Sequence, residues 1–566
     1  MNKTTPQLIR EALAAVSGDV SFDVLVPLDR RLGDYSTNVA FVLAKKEGQK
    51  PLDVANELKE KLEAGELKSI CEIKSAPNGY LNFFLKPEFL QKQLVEINKD
   101  ENYGAGTEGA GQKVIVEYSS PNIAKPMHIG HLRSTIIGDA LANVYAKLGY
   151  EVIRWNFIGD WGTQFGKLIS AYKKWGNAKA LAKNPIKEML RLYVKFHDEL
   201  KNNPELEKEG QAEFKKLEEG DVENKKIWDS FRAESLVEFN KVYQELNINA
   251  AGIVKGESDY ESRLKPLIAE LEEKGLAKES EGALIIDLGK YKLPPGLLRK
   301  SDGATLYLTR DIASLEDRLQ NYNPAKILYV VANQQTLHFE QLFAVAKELK
   351  MDSAELVHVK FGMVLGEDGK KLATREGKVV PLQEVIDKIT AMAYDTVKQK
   401  NSGLSDDQAK EVARTVGIGA LKYNDLKQHP YSDIAFDWKA MLDLSGNSGP
   451  YIQYTYARLA NILNKAGEHG NGDVGLLVEP EARALMLQLL DFPEAISKCA
   501  ELHTLNGLAL YLYDLAHLTN QFYERIHVLE DENIERRNAR LLLIETVAKT
   551  LKQGLGILGI VTLERI

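Results

Sequence analysis

Between about residues 113 and 365, short apolar runs alternate with longer stretches in which apolar residues recur at helical spacing. Val114-Ile115-Val116 is a β-branched run of the kind that fills a buried parallel strand. A polar loop from Ser119 to Pro126 follows, and its two prolines forbid helix there. Leu132, Ile136, Leu141, Val144 and Leu148 then mark a helix. Glu151 to Phe157 and Ile327 to Val331 repeat the strand rhythm, each giving way to a polar turn and another helical stretch. Lys300 to Asp311 (KSDGATLYLTRD) reads as a Ser-Asp-Gly turn followed by a Thr-Leu-Tyr-Leu strand. Such alternation predicts a doubly wound parallel sheet.

The flanks differ. Ahead of the sheet lies a small α+β unit: a helix at Gln7 to Val16, a strand near Asp23 to Pro27, a helix at Pro51 to Glu63 and a strand at Tyr80 to Leu85. Lys99 to Gln112 (KDENYGAGTEGAGQ) reads as a glycine-rich linker. Pro185 to about Glu245 is highly charged with helical spacing, a solvated helical insertion. After the sheet, Val412 to Asp425, Tyr451 to Leu463, Pro480 to Ala500, Leu508 to Tyr523 and Arg537 to Leu558 are all helical. The expectation is an α/β multidomain chain: a small α+β domain with its linker (1–105), a Rossmann-like doubly wound domain with a helical insertion at about 185–245 (106–385), and an all-α domain (386–566).

Composition narrows the function. At 566 residues the chain exceeds one ordinary core, which fits three or so domains. A net charge of −8 gives no global basic field, so any nucleic-acid contact must use local patches. Cys71 and Cys499 are far apart and form no CxxC, which argues against a disulfide framework or a cysteine zinc site and fits a reducing cytoplasm. The polar N-terminus is no secretory signal, and no apolar run approaches the roughly 20 residues of a membrane span.

The candidate chemistry lies where the first strand hands over to its helix, in Ser119-Ser120-Pro121-Asn122-Ile123-Ala124-Lys125-Pro126 and His128-Ile129-Gly130-His131. In an open α/β sheet that is where ligands bind, and free amides at a helix start favour a phosphate. His128-Ile129-Gly130-His131 resembles the first signature of class I aminoacyl-tRNA synthetases. The preceding SSPNIAKP string, with Gly159-Asp160-Trp161-Gly162-Thr163-Gln164-Phe165-Gly166 further on, resembles arginyl-tRNA synthetases among them. From physics alone, that glycine-rich turn reads as capped by Asp160.

The resemblance spans essentially the whole chain and implies a catalytic sheet domain, a C-terminal anticodon-binding domain and an N-terminal domain that binds the outer corner of tRNA. The reaction would consume ATP, with Mg²⁺, and L-arginine, and charge tRNA(Arg) in the cytoplasm, as a monomer without a dedicated protein metal site. It also implies that activation needs bound tRNA. His128 and His131 would donate to the phosphates, with Gly130 giving close access to the base. The second signature, Lys-Met-Ser-Lys in its usual form, is Lys371-Leu372-Ala373-Thr374-Arg375 here, so Thr374 stands where its second lysine is expected. Lys125 would supply the missing charge, with Lys371 and Arg375 also at the ATP.

A guanidinium offers five donors in a planar fork and keeps its charge, so its pocket needs carboxylates and amide oxygens. By the family's pattern, the resemblance implies that Asn122 and Gln335 hold the α-amino and carboxylate end, while Glu257, Tyr307 and Asp311 face the guanidinium. Asn78, Tyr80 and Asn82 would meet an unpaired tRNA base, and Tyr451 and Tyr454 the anticodon. The motif GDYSTN at 33–38 matches the family's N-terminal domain. Two rivals remain: a class I synthetase for another amino acid, against which the acids Glu257 and Asp311 speak, and a catalytically inactive RNA-binding paralogue, for which the missing loop lysine speaks.

Overall fold

The structure is a computed structural model; it describes residues 4–249, 252–301, 305–366, 369–370, 372, 380–401 and 403–566. An antiparallel sheet of Val24–Leu25 (β1), Tyr35–Thr37 (β2), Cys71–Ser75 (β3) and Leu81–Leu85 (β4), in the order β1-β2-β4-β3, forms the N-terminal unit with its helices. Its core holds Ile9, Leu13, Tyr35, Val54, Leu58 and Phe83.

The central sheet is wholly parallel: Lys113–Glu117 (β5), Glu151–Ile158 (β6), Ile253–Gly256 (β7), Lys326–Ala332 (β11) and Glu355–Phe361 (β12), in the order β12-β11-β5-β6-β7. The chain goes outward from β5 in one direction and then returns to β11 on its other side. The switch point therefore lies between β5 and β11, and the crevice beyond their C-terminal ends is the expected ligand position. Ala277–Ser280 (β8), Ala283–Ile286 (β9) and Gly296–Arg299 (β10) form a separate antiparallel sheet. Val364–Leu365 (β13) pairs with Ile434–Ala435 (β14).

The Ile129–Lys147 helix after β5 is buried nearly all round, between the sheet and the C-terminal helices. Gly138 lets it approach β5, because a Cβ there would lie 2.2 Å from the Tyr118 side chain. Arg133 ties it to the C-terminal domain: Nε lies 3.2 Å from each Asp425 carboxylate oxygen, and Nη1 donates to the Ser432 carbonyl at 2.9 Å. Removing either partner of so buried a pair would strand a charge.

Three expectations change. Thr-Leu-Tyr-Leu is not a strand; Thr305 makes one bridge to Arg299 and the helix Tyr307–Tyr322 begins at once. Thr309 Oγ1 donates to the Leu298 carbonyl at 2.7 Å, so packing on β10 overrides the β-propensity of that run. The Pro480 to Ala500 stretch is two helices, Pro480–Leu490 and Phe492–Leu502, broken at Asp491. The glycine-rich linker is packed in place. Gly106 N donates to the Lys147 carbonyl, Tyr103 Oη to the Leu489 carbonyl at 2.8 Å, and a Cβ on Gly104 would strike Phe492. Its glycines serve close approach as much as flexibility.

The GDYSTN motif docks the N-terminal unit onto the C-terminal helices. Arg483 grips the buried Asp34 carboxylate with both amino groups, at 3.0 and 2.7 Å, and Leu85 N donates to the same carboxylate at 2.6 Å. Tyr35 Oη and Arg30 Nη2 both donate to Asp491, at 2.8 and 3.0 Å.

Candidate active site

His128 is the N-cap of the Ile129–Lys147 helix, and the two imidazoles cap it reciprocally. Gly130 N donates to His128 Nδ1 at 3.0 Å, and His128 N donates to His131 Nδ1 at 3.1 Å. A neutral imidazole that accepts at Nδ1 carries its proton on Nε2. Burial, with the His128 ring only 3.9 Å away, pushes His131 down to about 3. His131 is thus a neutral donor at the positive end of a helix.

The loop before it is held in an unfavourable shape. Ser119, Ser120 and Ala124 have φ of +69°, +45° and +62°, in the left-handed region that non-glycine residues avoid. Such conformations cost about 1–3 kcal/mol each and persist only where the surroundings enforce them. Here Ser119 N donates to Ser134 Oγ at 2.9 Å and Ser120 N to Asn156 Oδ1 at 3.1 Å. The helical insertion supplies the rest. Ser119 Oγ lies 2.8 Å from Tyr243 Oη, Ala124 N donates to Ser235 Oγ at 2.9 Å, and Lys125 Nζ sits 4.7 Å from the centre of the Tyr193 ring. The insertion Pro185–Leu200, Glu205–Glu218 and Val222–Glu245 is charged outside, yet it buries Met189, Leu192, Phe196, Phe231 and Phe239 and backs the loop.

A cleft of about 1150 Å³, counting space open to solvent, runs along the switch point. Ser119, Ser120, His128, Gly130 and His131 line one side, and Val330, Gln335, Phe361 and Met363 the other. Leu372, in the second signature, also reaches it. The chain leaving that signature is stitched to the first: Ile129 N donates to the Val380 carbonyl and Leu382 N to the Met127 carbonyl, both at 3.0 Å. Lys371, Thr374 and Arg375 lie outside the described residues.

Of the residues expected to hold arginine, only Gln335 lines this cleft; Asn122, Glu257, Tyr307 and Asp311 do not. Asn122 is exposed, in a bridge to Gly159, where a Cβ would meet Asn122 Oδ1 at 2.1 Å. The next residue, Asp160, is fully buried and is not a helix cap; the Thr163–Trp175 helix has Gly162 at its N-cap. Instead its carboxylate accepts from Ser258 N, Ser258 Oγ and Arg232 Nε, each at 2.9 Å, and so fixes the turn that carries Glu257. Glu257 is pushed up to about 7, mainly by burial; Arg310 works against this, while Asp311, Asp160 and Glu261 add to it.

Tyr307 and Asp311 stand one turn apart on a single helix, so both face one side. Tyr307 is 68% exposed, whereas Asp311 is more covered and touches His338, a residue that sequence reasoning missed. Glu117, at the end of β5, completes the acidic surroundings of Asp311 and is paired with the buried Arg318, whose guanidinium lies over Trp155 and Tyr329. The position of His338, three residues past Gln335, was the available signal.

The candidate RNA contacts separate by exposure. Asn78 and Tyr80 are at the surface, Tyr80 edge-on to Phe41 at 5.0 Å, while Asn82 is buried and accepts from Ser36 Oγ at 2.7 Å. Tyr451 is half-buried with its hydroxyl accepting from Asn520, and Tyr456 is core. Tyr454 and the exposed Tyr523 flank the Arg458 guanidinium, at 5.3 and 5.1 Å.

No helix among the described residues is long and apolar enough to cross a membrane. Nor do those residues include a group of three or more His, Cys, Asp or Glu side chains placed to hold a metal ion.

Comparison with known proteins agrees along the whole chain. Residues 93–438 match the family described as tRNA synthetases class I (R), catalytic domain; residues 452–566 match the DALR anticodon binding domain, and residues 3–85 the arginyl tRNA synthetase N terminal domain. The arginine–tRNA ligase of Ligilactobacillus salivarius is 42% identical over 555 residues, covering 96% of this chain and 97% of its own. That of Clostridioides difficile is 41% identical over 546 residues, 95% of each. The solved arginyl-tRNA synthetase of Thermus thermophilus superposes with a TM-score of 0.84 at 28% identity, over 99% of this chain and all of that one. The Plasmodium falciparum enzyme gives 0.82, also at 28%, over 99% and 98%. With its fold, its paired imidazoles at the switch point and matches from end to end, the chain belongs to the arginyl-tRNA synthetase family of class I aminoacyl-tRNA synthetases and is an arginine–tRNA ligase.

Proposed function

We propose that the ligase reaction runs across the cleft in two steps, with the residues assigned as follows. The arginine carboxylate attacks the α-phosphorus of ATP and pyrophosphate leaves. The 3′-terminal hydroxyl of tRNA(Arg) then attacks the adenylate carbonyl and AMP leaves. His128 and His131 donate through Nε2 to the charge that builds on the five-coordinate phosphate, and Gly130 lets the base approach. Asn122 and Gln335 hold the amino and carboxylate end of arginine; Glu257, Tyr307 and Asp311 take its guanidinium.

Lys125 and Lys371, with Arg375, neutralise the triphosphate, Lys125 leaving Tyr193 to replace the lysine absent at Thr374. A point charge needs proximity rather than a fixed fork, so a lysine arriving from the opposite side serves. Mg²⁺ enters as the counter-ion of ATP. Asn78 and Tyr80 meet the tRNA corner, whereas Asn82, buried and bonded to Ser36, drops out of that set, and Tyr451 and Tyr454 meet the anticodon. The protein acts as a cytoplasmic monomer, divides at about residues 105 and 385, and needs bound tRNA for activation.

What supports this assignment is a cleft lined by His128, His131 and Gln335, together with the mutual influence of two acids, Glu257 and Asp311. Pyrophosphate exchange with each amino acid in the presence of tRNA(Arg) tests it. Arginine should be used alone, and Glu257→Gln should raise the KM for arginine while leaving that for ATP unchanged. Equal effects on both would remove Glu257 from the pocket.

A further inference from the structure

The helix Thr336–Glu348 begins one residue after Gln335, and its third residue, His338, places Nε2 2.5 Å from Asp311 Oδ2. Both side chains are mostly covered, 22% and 21% exposed. At this distance Nε2 can donate to the carboxylate, and the bond is charge-assisted when the imidazole carries its second proton. The groups around the ring come from every element packed there. Asp311 faces it from the Tyr307–Tyr322 helix, and Glu117 from the end of β5 with its partner Arg318. His358 faces it from β12, with its own Nε2 3.0 Å from the Val331 carbonyl oxygen. Burial disfavours the His338 imidazolium, but Asp311 and Glu117 outweigh it and hold the group above its ordinary range. His358 is pushed down to about 4, chiefly by burial, and stays neutral beside it.

We propose that His338 is a positioning residue for arginine specificity, an internal cation that occupies Asp311 until the substrate guanidinium takes its place. This rests on the assignment of Asp311 to the guanidinium. In the arginine-free pocket, His338 spares the enzyme a bare carboxylate in a partly desolvated site. A ligand that displaces it must bring both a full charge and more than one well-placed N–H. Guanidinium does both, a lysine ammonium brings only a point charge, and a neutral ureido group brings none. The exchange leaves His338 as neutral imidazole and passes its proton to water.

The test is arginine binding to the full chain, followed by calorimetry in buffers of different ionisation heat, with the KM for arginine measured from pH 6 to 8.5. In the wild type a proton is released, and the KM rises on the acid side with a slope approaching tenfold per pH unit. His338→Gln keeps an N–H for Asp311 without the charge. It should lose one proton from that slope, have a lower KM than the wild type at pH 6.5, and let lysine compete several-fold better. Unchanged proton release and slope in this variant would overturn the proposal, with Glu257 then the source. A KM raised by one factor at every pH would reduce His338 to a structural role and overturn it too.

Asp311→Asn separates the two levels. If it leaves the arginine KM untouched, the assignment of Asp311 fails. If it abolishes binding while His338→Gln behaves as the wild type, only the present proposal fails. Should His338→Gln not fold, Glu257→Gln decides: proton release on arginine binding supports His338 as the source, and its absence overturns it.

Discussion

At the proposed phosphate end of the cleft, binding groups are made from neutral parts and local geometry. Two imidazoles and a helix start supply the donors, and each imidazole is fixed by a backbone amide no more than three residues away. At the proposed amino-acid end, the groups are acids and each faces a basic group from elsewhere in the chain: Glu117 with Arg318, Asp160 with Arg232, Glu257 facing Arg310, and Asp311 with His338. A neutral donor can be desolvated cheaply and needs only orientation, whereas a buried carboxylate must be paired whether or not substrate is present. On the proposed assignment, phosphate chemistry sits on one short motif, while arginine recognition needs several segments brought together.

Changes at the charged end should be the most severe. Asp311→Asn leaves a guanidinium without its partner, a loss of about 2–5 kcal/mol, and should raise the KM for arginine by tens- to thousands-fold while the KM for ATP stays put. His128→Asn and His131→Asn should instead lower kcat by about 10²–10³ with little change in either KM, as loss of a transition-state donor does. If the histidine variants changed mainly the arginine KM, the division between the two ends would be wrong. Lys125→Ala should cost about 1.5–3 kcal/mol at the triphosphate, and adding Thr374→Lys should restore much of it. No recovery in the double variant, measured by pyrophosphate exchange, would separate the two positions functionally.

The neutral end has a cost in acid. His131 resists protonation when folded, so its contribution to stability is present above the unfolded pKa and is lost as pH falls from about 6.5 toward 3. Thermal melts over that range should show a shallower decline for His131→Asn than for the wild type. Smallest of all, Tyr243→Phe removes a hydroxyl shared by Ser119 and Asn156 and should cost about 1 kcal/mol. That loosens the strained loop and lowers kcat a few-fold; an unchanged kcat would mean the loop keeps its shape without the insertion.

The same contrast explains what could be read from the residues alone. The strand, the proline-bounded loop and the histidine pair are contiguous, so their spacing announced the strand-to-helix turn at which the candidate site lies. Glu257, Asp311 and Gln335 were named only through family resemblance, since nothing local distinguishes them from surface acids and amides. The partners that hold Asp160 and Ser119 were not legible at all. Arg232 lies 72 residues from Asp160, and Tyr243 lies 124 from Ser119. Charge-rich composition made the insertion look merely solvated, because its Lys–Glu pairs dominate the pattern while Ser235 and Tyr243 are single residues facing inward. The run at Thr305 to Leu308 misled for a related reason: β-propensity is weak against the packing of a helix on β10.

The docking of Asp34 onto Arg483 has a consequence for how the protein is born. The two residues are 449 positions apart. At ordinary rates of synthesis Asp34 leaves the ribosome roughly 20 to 90 s before its partner exists. The N-terminal unit must meanwhile stand alone, and the surface that carries Asp34, Tyr35 and Arg30 is open to other contacts. Its closing onto the last helices is then one of the final events of maturation, and the chain becomes a single body only when nearly all of it has been made.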